Sequence, residues 1–169
     1  MEKFIFNFAN KKPGKNFNAK NILGGKGSNL ADMGRLGLSV PPGFTISTKV
    51  SDLFYKNKKK IPSFIIKSIN KELKLIEKTT RKKFGDLTNP LLVSVRSGAR
   101  VSMPGMMDTI LNLGLNDKTI LALSKKTFNP RFAQDSYRRF IQMYGSVVLN
   151  IENHHFEELT ENYKLTKGV

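Results

Sequence analysis

Apolar residues recur at two different periods along this chain, and the changes between them mark out its elements. Phe4, Phe6 and Phe8 alternate, the period of a strand with one buried face, and the run ends at a Lys11-Lys12-Pro13-Gly14 turn. The stretch Asn21-Ile22-Leu23-Gly24-Gly25-Lys26-Gly27-Ser28-Asn29 leads into Leu30 and Met33, spacing that predicts a short helix with Ser28 or Asn29 as its N-cap. Pro41 and Pro42 stiffen a turn that feeds the β-prone run Phe44-Thr45-Ile46-Ser47. From Ser63 onward Ile66, Ile69, Leu73 and Ile76 recur at helical steps, which leaves Lys67, Lys71, Lys74 and Lys78 to face water. Phe54, Tyr55 and Phe64 read as core anchors near this basic helix. After Asn89-Pro90, the run Leu91-Leu92-Val93-Ser94-Val95 predicts a short buried strand. A long helix is predicted over about Pro130 to Leu149, with Ala133, Tyr137, Phe140, Ile141, Tyr144, Val147 and Val148 on one face and an Asp135–Arg139 pair on the polar side. Beyond Ile151 the pattern weakens, and no internal repeat is present.

Composition narrows the class. With 169 residues, 39% apolar content and twelve Phe, the chain can build a core of its own and is expected to form one folded domain. No cysteine occurs, which excludes a disulfide framework and thiolate metal sites and is compatible with a reducing compartment, so a cytoplasmic location is the expectation. The first twenty residues lack the apolar core of a secretory signal, and no apolar run approaches membrane-spanning length. The net charge of +16 attracts anions of every kind. Twelve basic and three acidic residues lie between Lys49 and Lys83, so more than half of the surplus sits in one stretch. A solvated helix face explains that stretch, and nucleic acid is not the expected partner because glycine-rich strand motifs and exposed aromatics do not accompany the lysines.

Two segments carry chemistry. In Gly24-Gly25-Lys26-Gly27 the glycines let backbone N–H groups approach an anion, a helix start adds favourable partial charge, and Lys26 adds a mobile cation. The spacing is not that of a Walker P-loop, and a purely structural turn is the competing reading. In the segment Val95 to Thr109, Arg96 is expected at the end of a strand, where open α/β sheets hold ligands and where its planar fork suits a phosphate or carboxylate. Glycines, a proline and hydroxyls downstream make a loop able to close on a ligand, with Met103, Met106 and Met107 as lid contacts or core filler. His154 and His155 are adjacent in a weakly patterned tail, without metal-site spacing, and no serine has a nearby histidine base.

Taken in order, NILGGKGSNLADMGRLGLSVPPGFTIST, NPLLVSVRSGARVSMPGMMDTILNLGLND and RFAQDSYRRFIQMYGSVVLNI resemble the N-terminal nucleotide-binding domain of the pyruvate phosphate dikinase family over nearly the whole chain. The phosphoenolpyruvate synthases share the glycine-lysine and proline-proline-glycine segments, but SMPGMMDT is similar to the dikinases. The resemblance implies an α/β (α+β) fold, the N-terminal lobe of an ATP-grasp-type domain, spanning residues 1–169. It implies ATP with Mg2+ as ligand and a phosphotransfer that interconverts ATP, phosphate and pyruvate with AMP, pyrophosphate and phosphoenolpyruvate. By the same resemblance Lys26 lies near the nucleotide phosphates with Gly24 and Gly25, and Arg96 stabilises charge during transfer. The loop containing Gly98, Ser102, Met103, Gly105, Asp108 and Thr109 folds over the triphosphate, and Arg138 or Arg139 adds positive charge. The family's acidic metal ligands are expected beyond Val169, and its carrier-histidine motif and pyruvate-handling barrel have no counterpart here. The chain by itself is therefore expected not to complete the reaction, and reads as a deliberate fragment, a short reading frame left by a decayed or split gene, or a piece that assembles with downstream dikinase domains as separate chains, in a family that is typically homo-oligomeric. A non-catalytic basic protein that binds nucleic acid or a partner, or a gene remnant without function, are the alternative readings.

Overall fold

The computed structural model describes residues 3–8, 19–98 and 109–168. The chain divides into two compact units, residues 1–81 with 97–107 and residues 82–96 with 108–169. Both mix helices with a small antiparallel ribbon, an α+β arrangement.

The first unit holds β1 (Ile5–Asn7), α1 (Ala19–Arg35), β2 (Phe44–Ile46), α2 (Lys49–Lys56) and α3 (Ser63–Thr80). β1 and β2 pair antiparallel, with Ile5 opposite Ile46 and Asn7 opposite Phe44. Backbone bonds at both ends extend the ladder, from Phe8 N–H to the Gly43 carbonyl at 2.9 Å and from Ser47 N–H to the Phe4 carbonyl at 2.8 Å. The strand predicted from alternating phenylalanines exists, but in the opposite phase. Ile5 is buried, while Phe4, Phe6 and Phe8 are half-buried. Phe4 tilts against Phe64, and Phe8 lies over Gly43.

A similar shift of phase occurs in α3, which the basic stretch forms only after a first helix, α2, has ended before Pro62. Ile65 is fully buried, whereas Ile66, predicted to face the core, is 46% exposed. Two adjacent isoleucines leave the buried face undecided by one residue, and docking on β1 selects it. The Glu72 carboxylate accepts a 2.9 Å bond from the Asn7 amide and fixes the helix rotation. Lys67, Lys71, Lys74 and Lys78 line the outward side, as the pattern predicts. Tyr55 and Phe64, read as core anchors, are exposed instead, since α2 buries only Val50 and α3 turns Ile65 and Ile76 inward.

The second unit holds β3 (Val93–Arg96), β4 (Thr109–Leu113), α4 (Thr119–Thr127), α5 (Pro130–Leu149) and α6 (Asn153–Lys167). β3 and β4 pair antiparallel, Val93 with Leu113, Val95 with Ile110 and Arg96 with Thr109. The register slips by one residue between these pairs, and Asn112, at φ +59°, takes up the bulge. The buried strand expected over Leu91–Val95 is thus one edge of a two-stranded ribbon. Leu91 is buried just before it, and Val95 is 45% exposed, because α5 packs on this ribbon through β4. α5 begins and ends where the sequence places it. Asn129 caps it by accepting a 2.9 Å bond from Phe132 N–H, Pro130 follows, and Asn150 closes it in the left-handed region. Its inward face is carried by Ala133, Ser136 and Gly145, while Ile141, Tyr144 and Val148 of the predicted apolar face are exposed. β4 and α4 have no counterpart among the elements expected from the pattern, and the weakly patterned tail forms α6, which buries no residue fully.

Between α3 and β3 a tight turn is organised by one carboxylate. Asp86 Oδ1 accepts from Thr88 N–H at 2.8 Å, Thr88 Oγ1 at 2.7 Å and Asn89 N–H at 2.8 Å. The Thr88 hydroxyl, then the Asn89 and Thr88 amides, hold the Asp86 carboxyl at about 2, below its ordinary 3.8. A carboxylate depressed in the folded state contributes stability that is complete above its unfolded pKa and vanishes as pH falls through the folded one. The chain is therefore expected to lose stability between pH about 4 and about 2, and Asp86→Asn to lose less over the same interval, read as urea midpoints against pH.

Candidate functional site

The glycine-lysine segment lies inside α1 rather than ahead of it. Gly24 has φ +72° and ψ +173°, a conformation essentially restricted to glycine, and it splits α1 into a short lead and the segment 25–35. A second constraint also demands glycine there. A Cβ on Gly24 would overlap the carbonyl of Gly98, whose backbone lies against it. Position 24 is not helical, so the backbone changes direction there and the segment after it opens anew. Gly25, Lys26 and Gly27 form that opening turn. Ser28 and Asn29, expected as caps, sit one turn further in, so the break at Gly24 and neither side chain marks where the segment begins. Gly27 is packed: its Cβ would stand 2.9 Å from the Thr45 side chain, which lets α1 approach β2 closely.

Carbonyls on the lead side of the break are held from another element. Thr48 donates from Oγ1 to the Asn21 carbonyl at 2.7 Å and from its amide to the Ile22 carbonyl at 2.9 Å. Those two carbonyls are the ones that Gly25 and Lys26 amides would seek in a continuous helix. Thr48 has no signal in the sequence, because its role depends on a contact across 27 residues.

Lys26 is half-exposed, and among the described residues no carboxylate pairs with it. Arg96 ends β3 in the second unit, exposed and likewise without a carboxylate among the described residues. The competing reading, an arginine used up in an internal ion pair, finds no support there. The topological part of the expectation does need correction, since Arg96 lies on an antiparallel ribbon and not at the carboxyl edge of an open parallel sheet. Thr109 sits directly across from it on β4. Ser102, Met103, Gly105 and Asp108 lie outside the described residues. Arg139, on the exposed side of α5, donates from Nε to Asp135 Oδ2 at 2.7 Å, and Arg138 binds Oδ1 of the same carboxylate at 2.7 Å and 3.1 Å. The hydrogen bond from Arg138 leads the interactions that lower the Asp135 pKa. His154 and His155 are exposed, as expected, with His154 Nδ1 3.1 Å from Glu152.

Among the described residues no group of three or more His, Asp or Glu side chains is gathered to hold a metal ion, and no helix is long and apolar enough to cross a membrane.

Comparison with known proteins supplies the context for these residues. Residues 20–74, which contain the whole break and its Thr48 clamp, match the family described as pyruvate phosphate dikinase, AMP/ATP-binding domain. The chain is 53% identical over 150 residues to pyruvate, phosphate dikinase of Entamoeba histolytica, covering 89% of this chain and 17% of that protein. It is 51% identical over 169 residues to the Clostridium symbiosum protein of the same name, covering 100% of this chain and 19% of the relative. A chloroplastic pyruvate, phosphate dikinase of Flaveria pringlei is 48% identical over 168 residues, 99% of this chain and 18% of the relative. The chain spans less than a fifth of the length of these curated relatives.

Proposed function

The chain belongs to the pyruvate phosphate dikinase family, in the region that carries its AMP/ATP-binding domain, and from that premise we propose that it holds the phosphates of ATP at the helix break of α1, with Lys26 as principal cation and Arg96 as the group that meets charge developing during phosphoryl transfer. The observation that supports this most is the interrupted helix. Gly24 opens the ladder, the amides of Gly25 and Lys26 stand at the start of an eleven-residue segment, and the Lys26 ammonium is unpaired among the described residues. A helix start favours negative charge through its amides and the helix dipole. Phosphoryl transfer asks a protein mainly to position the phosphates and neutralise charge. Lysine serves as a mobile point charge, and arginine as a planar fork for two oxygens.

In this reading the segment 97–108 closes over the triphosphate, with Gly98 supporting the break and Thr109 holding the far side of the loop. Arg139 acts at longer range, sharing Asp135 with Arg138. Magnesium arrives with the nucleotide as part of the substrate. The activity to which the chain contributes is the interconversion of ATP, phosphate and pyruvate with AMP, pyrophosphate and phosphoenolpyruvate, the remaining steps being supplied by dikinase domains outside this chain.

Titration of the 15N-labelled chain with magnesium ATP is the direct test. The amide resonances of Gly25, Lys26 and Gly27 are expected to move and saturate, and Lys26→Ala to weaken the apparent affinity about 10–100-fold, the worth of a charge-assisted bond. If millimolar nucleotide leaves those resonances in place, the proposal is wrong.

A further inference from the structure

We propose that Thr48 is a positioning residue of the nucleotide site, holding the α1 break open so that the Gly25 and Lys26 amides stay available to phosphate; this rests on the reading of that break as the phosphate site. Thr48 stands at the start of α2 with helical φ and ψ (−54°, −28°), a backbone that does not aim its oxygen at the amides of the first turn. Its side chain makes no capping bond. The hydroxyl instead donates to the Asn21 carbonyl at 2.7 Å, and the Thr48 amide donates to the Ile22 carbonyl at 2.9 Å. In an uninterrupted helix those two carbonyls would accept from residues 25 and 26. Thr48 thus bonds the acceptors that compete with phosphate for these donors.

The two bonds divide the work. The amide bond survives any substitution other than proline, so it secures Ile22 whatever the side chain. The hydroxyl bonds the Asn21 carbonyl, the acceptor that a helical Gly25 amide would use.

Thr48→Val removes the hydroxyl at nearly constant shape, Thr48→Ala removes it without a branched side chain, and Thr48→Ser restores it. Two measurements on the 169-residue chain are informative: amide exchange residue by residue, and the magnesium ATP titration followed at Gly25 and Lys26. In the Val and Ala variants the released Asn21 carbonyl is expected to recruit the Gly25 amide, which then exchanges several-fold more slowly. Apparent affinity for the nucleotide should fall about 2–10-fold, the worth of one ordinary hydrogen bond. Thr48→Ser should return both to wild-type values. Wild-type Gly25 exchange in both Val and Ala variants would overturn the role given to Thr48. Failure of the break to bind nucleotide at all appears separately, as wild-type resonances that ATP does not move, while the exchange measurement still judges the clamp.

Discussion

Gly24→Ala is expected to lower the melting temperature of the chain by roughly 5–10 °C and to abolish nucleotide-induced shifts at Lys26. Two costs add. The backbone at φ +72° and ψ +173° lies in a region where a non-glycine residue costs about 1–3 kcal/mol. The new methyl group would also overlap the Gly98 carbonyl, which is backbone and cannot rotate away, so either α1 or the chain at 97–98 has to move. At this chain length each kcal/mol is worth about 2–4 °C. Gly37→Ala is the matched control, since Gly37 also has a positive φ, +77°, but faces open space. Its cost should stay near the ~1–2 kcal/mol of a left-handed backbone alone, without effect on Lys26. Circular dichroism melts of the three proteins decide the matter. Equal melting temperatures for wild type and Gly24→Ala would mean that the break is not required by the fold.

The same residue shows why part of this site is legible in the sequence and part is not. Three glycines around a lysine announce a special backbone, and that holds. They cannot say which glycine carries the strain, since each satisfies the steric requirement equally before Gly98 arrives from 74 positions away. Elements bounded by local chemistry are legible to the residue. α5 is bounded by Asn129-Pro130 and Asn150, whose capping depends on immediate neighbours. Elements that depend on distant contacts come out in the wrong phase or not at all. Whether Ile65 or Ile66 turns inward is settled by the Asn7–Glu72 bond and the docking of α3 on β1. β4 gains its strand character from pairing with β3 across the segment 97–108, and the pattern alone assigns its first residue, Thr109, to a ligand loop. Thr48 is the extreme case, with a side chain whose most useful bond is invisible until the fold brings Asn21 to it.

The largest effect is expected at Arg96. Carried into a dikinase of full family length, Arg96→Ala should reduce kcat by about 10²–10³-fold, the usual loss when one preorganised donor to developing charge is removed. Lys26→Ala should act differently. A lysine on the phosphates binds ground and transition state alike, so its removal should raise KM for ATP strongly, with a smaller change in kcat. The split separates the two roles, which similar losses in both parameters would not. Arg96→Lys keeps the charge but loses the fork, so its recovery measures how much of the arginine's effect is geometry rather than Coulombic attraction. Little recovery is expected, because a migrating phosphoryl group presents two oxygens in one plane to a guanidinium and only one at a time to an ammonium. Arg96 also ends β3, where the ribbon is short and Val95 is exposed, so truncation of its side chain removes little packing. Melting temperatures of the Arg96 variants should therefore stay within about 2 °C of wild type, as is usual for surface substitutions. A full-length enzyme that keeps its turnover with alanine at position 96 would remove Arg96 from the phosphoryl-transfer step, whatever its neighbours in the sequence suggest.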